Sequence, residues 1–306
     1  MDISRFCVPE TERVKLVDFP KEINGGPSDK SEGAELLARN RDRMFKLQDR
    51  FYADGTESLL IVFQGMDAAG KDSAIKHVMS GVNPQGVKVV SFKQPSKTDL
   101  AHDYLWRCQV ALPERGHIGI FNRSHYEEVL IARVRDLPEK QPLPRRATEK
   151  IWRKRYEQIR DWERHLYQNG TTVIKFFLNI SKDEQAKRFL GRIENDAKNW
   201  KFSESDIAER DLWDDYMLAF EDALNETSTS NCPWYVIPGN RKWYAKFVIS
   251  EIIIAHLEAI NPQYPRLPED SRDKLGVYRE ALMKDLGWDE QKMRMEYAGI
   301  KEAEND

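Results

Sequence analysis

Residues 58–79, SLLIVFQGMDAAGKDSAIKHVM, read as a buried strand, a glycine-bounded turn and an amphipathic helix. Leu59 to Phe63 form the short apolar run that a parallel strand needs when helices cover both of its faces. Gly65 to Lys71, GMDAAGK, has the spacing G-x-x-x-x-G-K, in which backbone N–H groups and a helix N-terminus face an anion and a lysine adds positive charge. Gly65, Ala68, Ala69, Gly70, Lys71 and Asp72 are therefore the expected phosphate contacts. Asp72 stands where a hydroxyl normally holds Mg²⁺, so Asp67, inside the loop, is the expected replacement ligand. A purely structural turn accounts for the glycines but gives no reason for Asp67 and Lys71 to flank them.

The whole chain fits one large α/β domain with a helical appendage. It has 306 residues, and its 48 Lys and Arg against 51 Asp and Glu leave a formal charge of −3. That balance calls for neither nucleic acid nor an anionic membrane as partner, so any polyanion must be met by a local cluster. Cys7, Cys108 and Cys232 are far apart and lack metal-ligand spacing, which fits a reducing cytosol. The first ten residues carry charge and no secretory core, and the apolar segment Phe247 to Leu257 is short and interrupted by Glu251. A soluble, cytoplasmic protein is expected.

Prolines 9, 20 and 27 with Gly25-Gly26 make residues 1–30 an extended arm expected to lie across the domain surface. A helix capped by Ser31 is expected to run to about Tyr52, with Leu37, Met44, Leu47 and Phe51 on one face. Val87 to Phe92, His117 to Phe121, Thr171 to Leu178 and Trp234 to Ile237 are four further strands, with a helix over Asp99 to Val110 between the first two of them. Strands alternating with helices imply right-handed crossovers and a five-stranded parallel sheet in a doubly wound, three-layer α/β/α sandwich. The domain is expected over 31–262, followed by a helical tail over 263–306. Trp152 and Trp162 give the helix of residues 146–169 an apolar face for the sheet or another subunit, and a homo-oligomer is expected.

Residues 182–225 hold Lys187, Arg188, Arg192, Lys198, Lys201 and Arg210, with Trp200 and Phe202 between them. By analogy with P-loop kinases, this position after the fourth strand is that of a helical lid over the phosphates. Phosphoryl transfer needs such cations around the moving group and needs water excluded. Because Asp206, Asp211, Asp214 and Asp215 share the segment, a salt-bridged surface helix is the alternative.

Residues 121–128, FNRSHYEE, follow the third strand, which in this fold lies beside the first. The strand-end position is Asn122, a poor Mg²⁺ ligand, so Asp67 with help from Glu127 becomes the expected metal site. Arg123, an always-charged bidentate donor, is expected on the acceptor phosphate, and Arg107 is placed where it could reach the same group. His125 invites a general-base role, but an attacking phosphate oxygen is already anionic, and a packed histidine is the better reading.

GMDAAGKD, GVNPQGVKVVSFKQPSK, HDYLWR, GIFNRSHYEEVL, KNWKF and PWYVIPGNRKWY, in this order, closely resemble the polyphosphate kinase 2 family, from about Val14 to Glu258. Asn122 and Glu127 are similar to its class III subgroup. The resemblance implies a thymidylate-kinase-like fold and transfer of phosphate from inorganic polyphosphate to AMP and ADP, giving ADP and ATP with Mg²⁺ or Mn²⁺. It implies catalytic roles for Asp67, Lys71, Arg123 and Glu127, and Arg107, Asn122, Arg123 and Glu127 are the residues expected on the nucleotide side. It also implies that Lys76, Arg188, Lys198 and Lys201 line a polyphosphate channel. An ATP-dependent nucleoside monophosphate kinase and a non-catalytic nucleotide-binding protein are the rival readings.

Overall fold

The computed structural model describes residues 1–140 and 143–303, with side chains excepted at 139–140 and 298–303. It contains two compact units, Met1–Gln263 and Tyr264–Asp306. The first is built on five parallel strands: β1 (Ser58–Gln64), β2 (Val87–Ser91), β3 (Ile118–Asn122), β4 (Thr171–Asn179) and β5 (Trp234–Pro238), in the order β2-β3-β1-β4-β5. β1 is buried along its whole length, as its unbroken apolar run requires. It pairs with β3 through Phe63 and Asn122 and with β4 through Gln64 and Phe177. The glycine loop and the segment after β3 therefore leave the same end of adjacent strands, where α/β sheets bind their ligands.

Helix α1 (Lys30–Asp54) buries Leu37, Met44, Leu47 and Phe51 and stops at Gly55, whose φ is +61°. Its cap is Asp29 rather than Ser31: the Asp29 carboxylate accepts from the N–H groups of Ser31 and Glu32. α2 (Lys71–Val78) follows the glycine loop. The helix expected over 99–110 is instead two single turns, α3 (Lys97–Leu100) and α4 (Trp106–Gln109). Ser96 and Asp99 cap the first reciprocally, and Asp103 caps the Leu105 N–H, so local side chains take the backbone groups that a continuous helix would use.

Short turns α5 (Ile131–Val134) and α6 (Arg145–Thr148) lead into α7 (Ile151–Gln168). After β4 come α8 (Lys182–Ile193), α9 (Asp196–Asn199), α10 (Glu204–Asp211) and α11 (Trp213–Thr227), and α12 (Lys242–Ile260) follows β5. α1, α2 and α12 pack together, and α7 packs on β4 and α11, so both faces of the sheet are covered. Within residues 182–225, α11 belongs to the core through Trp213, Phe220 and Leu224, and the strongly exposed part is Arg192 to Asp211.

The N-terminal arm has little regular structure, yet it does more than cross the surface. Phe6, Val8 and Leu16 are buried, Cys7 bridges to Tyr235, and the Val8 N–H donates to the Trp234 carbonyl at 2.9 Å. It thereby covers the open edge of β5. The second unit contains α13 (Glu269–Leu286) and α14 (Glu290–Ala303), joined by a two-pronged Arg279–Glu290 ion pair.

Candidate active site

The loop between β1 and α2 needs glycine at both ends. Gly65 has φ +147°, and a Cβ there would sit 3.1 Å from the Leu178 carbonyl oxygen; Gly70 has φ +107°. Ala68, at φ +61°, takes a left-handed conformation without that freedom, a strain that the surroundings must hold. They do so from α8. Arg188 is buried and donates through Nη1 to the carbonyls of Ala68 (3.0 Å) and Ala69 (2.6 Å), and through Nη2 to those of Gly239 (2.6 Å) and Asn240 (3.2 Å). Its Nε pairs with Glu184, and Gln185 Nε2 donates to the Asp67 carbonyl at 3.0 Å. Arg188, expected as a phosphate contact, thus spends its donors on clamping the loop.

Lys71 folds back over the loop, its Nζ 2.6 Å from the Gly65 carbonyl and 3.2 Å from that of Met66. Burial pushes its pKa down, against the pull of Asp67. Arg123 leaves the end of β3 at φ +63°, and its Nη2 donates to Asp67 Oδ1 at 2.6 Å. Burial raises the Asp67 carboxyl, but Lys71 and Arg123 outweigh it and hold it below the usual aspartate range. Beside them Asn122 Nδ2 donates to Asp72 Oδ1 at 2.6 Å, so each residue of the pair at the end of β3 grips one carboxylate of the loop or its helix. Glu127 lies in a tight turn, His125–Glu128, and burial raises its pKa against Arg123 and Lys71.

Two cavities meet at this point. The larger, about 730 Å³, is lined by Lys93, Lys187, Arg192, Lys198, Lys201 and Lys242, with Lys71, Arg123 and Arg188 at the loop. Asp67, Asp72 and Glu184 are its acids, so positive charge prevails. Burial first, and then Arg188, depress the pKa of Lys242, which reports crowding of like charges. The smaller, about 480 Å³, has a different wall: Leu130, Ile131, Trp200, Tyr216 and Phe220, with Glu127, Asp206 and Glu209. Asp67, Asp72, Arg123, Arg192 and Lys201 line both.

Most expected site residues gather here, with two exceptions. Lys76 is exposed on α2 and lines neither cavity. Arg107 packs over Phe92 and donates to the Lys93 carbonyl at 2.8 Å, and it lines a separate cavity of about 460 Å³. It lines neither of the two cavities that meet at the loop. Lys93 and Lys242 were not singled out from the sequence. Each lies just beyond the end of a strand, at Ser91 and Pro238, and a search for basic residues at strand ends would have found both.

His125 sits beneath the site, fully buried, with Nε2 3.3 Å from Glu163 Oε1. Burial depresses its pKa, and it lines neither cavity. Glu163 also takes Lys175 Nζ and the Tyr126 hydroxyl (2.9 Å), and Lys175 reaches the Thr227 carbonyl at 2.8 Å. This buried ion pair anchors the turn that bears Glu127 from below.

The donor set suits Mg²⁺ or Mn²⁺. Asp67, Asp72 and Glu127 bring hard oxygen ligands to one cavity, yet no group of three or more His, Cys, Asp or Glu among the described residues forms a ready cage. A cation held by one or two carboxylates and completed by substrate phosphates fits that arrangement.

Comparison with known proteins agrees with the geometry. The model of the family described as polyphosphate kinase 2 (PPK2) matches residues 27–265. The chain is 47% identical over 283 residues to an ADP-polyphosphate phosphotransferase of Rhodopseudomonas palustris, covering 92% of this chain and 98% of that one. It is 44% identical over 276 residues to an AMP/ADP-polyphosphate phosphotransferase of Meiothermus ruber, covering 90% and 100%. Among solved structures, polyphosphate kinase 2 from Arthrobacter aurescens superposes with a TM-score of 0.80 at 36% identity, over 89% of this chain and 95% of that one.

Proposed function

The chain belongs to the polyphosphate kinase 2 family, and on that footing we propose that it moves the terminal phosphate of inorganic polyphosphate to AMP and ADP, giving ADP and ATP. The observation that supports the site reading is the contrast between the two cavities. A donor made only of phosphates needs cations along its length, which is the character of the larger cavity. An acceptor that carries a base needs apolar and hydrogen-bonding walls as well, which the smaller one has. Transfer then takes place where they share Asp67, Asp72, Arg123, Arg192 and Lys201.

The residues act by position and charge. The loop N–H groups and Lys71 hold the terminal donor phosphates, while Arg123 fixes the acceptor phosphate in line. Arg192, Lys198 and Lys201 offset the charge that spreads over the phosphoryl oxygens, and closure of residues 192–211 excludes water. The acceptor oxygen is already anionic near neutral pH, so no base is required. Asp67 and Glu127 would hold Mg²⁺ or Mn²⁺, which supplies charge neutralisation between phosphates.

A cytoplasmic setting is supported by three free thiols, and no helix among the described residues is long and apolar enough to cross a membrane. A homo-oligomer is part of the same proposal: Trp152 and Trp162 of α7 pack against the core of this subunit but stay partly exposed. The test of the donor assignment is kinetic. Replacing Lys187 and Lys198 by alanine should raise KM for polyphosphate about tenfold and leave KM for ADP within about twofold. An equal rise in both would contradict it.

A further inference from the structure

Trp200 is the most exposed large apolar side chain among the described residues, at 78%. It stands at the end of α9 and lines the smaller cavity, which Leu130 and Ile131 also line. Its indole N–H donates to the Ala197 carbonyl at 3.1 Å, which fixes the edge of the ring without burying its faces. Lys201 Nζ lies 4.9 Å from the ring centroid, so an ammonium that also lines the larger cavity is held against the aromatic system. An indole kept out of the core, oriented by a hydrogen bond and set on the rim of a cavity that contains Arg123, is arranged to meet a planar ligand.

We propose that Trp200 is the stacking platform for the nucleobase of the acceptor. The base of a nucleoside mono- or diphosphate lies in the smaller cavity between the Trp200 ring and the Leu130–Ile131 wall, with its phosphate directed to Arg123. A volume of about 480 Å³ is suited to a nucleoside. Every base has a π face, so this platform admits purines and pyrimidines alike and ranks them by stacking strength, purines ahead. The inference rests on reading the smaller cavity as the acceptor site.

The experiment measures equilibrium binding of ADP, CDP and inorganic polyphosphate separately to the wild-type chain, Trp200→Ala and Trp200→Phe, with ATP formation from polyphosphate and ADP assayed in parallel. Trp200→Ala should weaken ADP about 5- to 100-fold, the range of base–aromatic stacking, weaken CDP less, and leave polyphosphate within about twofold. Trp200→Phe should recover a large part of the ADP loss, and the change in tryptophan fluorescence on adding ADP should shrink in both variants. ADP affinity unchanged in Trp200→Ala would overturn the proposal. So would equal losses for ADP and polyphosphate, which would make the ring an element of closure over both substrates. If the wild-type chain forms no ATP, the underlying functional reading fails; if it forms ATP while Trp200→Ala binds ADP normally, only the platform fails.

Discussion

Arg123 donates from Nη2 to the Asp67 carboxylate across 2.6 Å, joining the end of β3 to the middle of the glycine loop. The strands that lead into them, β1 and β3, are neighbours in register, and the Arg123 N–H itself donates to the Phe63 carbonyl at 3.0 Å. The two side chains keep 40% and 33% exposure, so the pair is reachable by substrate and contributes little to stability. Asp67→Asn and Arg123→Lys should each lower kcat/KM at least about 100-fold while Tm hardly moves. Steady-state kinetics with parallel thermal unfolding checks this, and a Tm loss as large as the activity loss would assign the pair a structural role instead.

Arg188 is expected to behave in the opposite way. Removing it takes this donor from the carbonyls of Ala69 and Gly239 in a buried place and from those of Ala68 and Asn240 in a half-buried one. Each unpaired group costs about 1–3 kcal/mol, so Arg188→Ala should lower Tm by several degrees and raise KM for polyphosphate by distorting the cradle. Lysine cannot reproduce a fork across four carbonyls, and full recovery in Arg188→Lys would contradict the clamp.

The Lys175–Glu163 pair lies wholly inside the protein, on β4 and α7. Burial alone would raise the Glu163 carboxyl, but Lys175 and His125 bring it below its ordinary value. Lys175→Met strands that charge and should cost about 3–5 kcal/mol, whereas Lys175→Met with Glu163→Leu should cost clearly less. Urea unfolding of the two single variants and the double variant reads the coupling; additive losses would mean that the groups do not act as a pair.

Much of this was legible because it is local. The apolar run of β1, the glycines at 65 and 70 and the N-R-S-H-Y-E segment carry their meaning within a few residues, and the parallel order follows from alternation. What escaped is tertiary. Arg188 binds a carbonyl 119 residues away, and nothing near it in sequence distinguishes a clamp from a substrate contact. Lys93 and Lys242 join the cationic cavity only because strands distant in sequence end on the same side of the sheet. Lys76 failed for the converse reason: it lies close to the motif in sequence but on the exposed side of α2.

Stability should fall on the acid side, with a sign that follows from burial. His256, hydrogen-bonded to the Tyr235 hydroxyl at 2.9 Å, is held by burial at about 4, below its ordinary 6.5, and His125 is also depressed. The unfolded chain binds protons at these rings below about pH 6.5 that the folded chain refuses, so stability is full above that pH and declines as pH falls from 6.5 toward 4. For His256 the loss is at most roughly 3 kcal/mol, less where water reaches the ring. Tm measured between pH 7.5 and 4.5, as a range of about three units, should fall more gently in His256→Gln; an acid limb of unchanged slope would contradict this origin.

The central claim is that the donor is a chain of phosphates alone. Its most direct test is to supply ADP, Mg²⁺ and inorganic polyphosphate as the sole phosphoryl donor and to follow ATP, with AMP measured to exclude exchange between two ADP molecules. The expected result is ATP formed without matching AMP, dependent on polyphosphate and lost in Asp67→Asn. ATP no higher than in the polyphosphate-free control, alongside ready transfer from ATP to AMP, would contradict it.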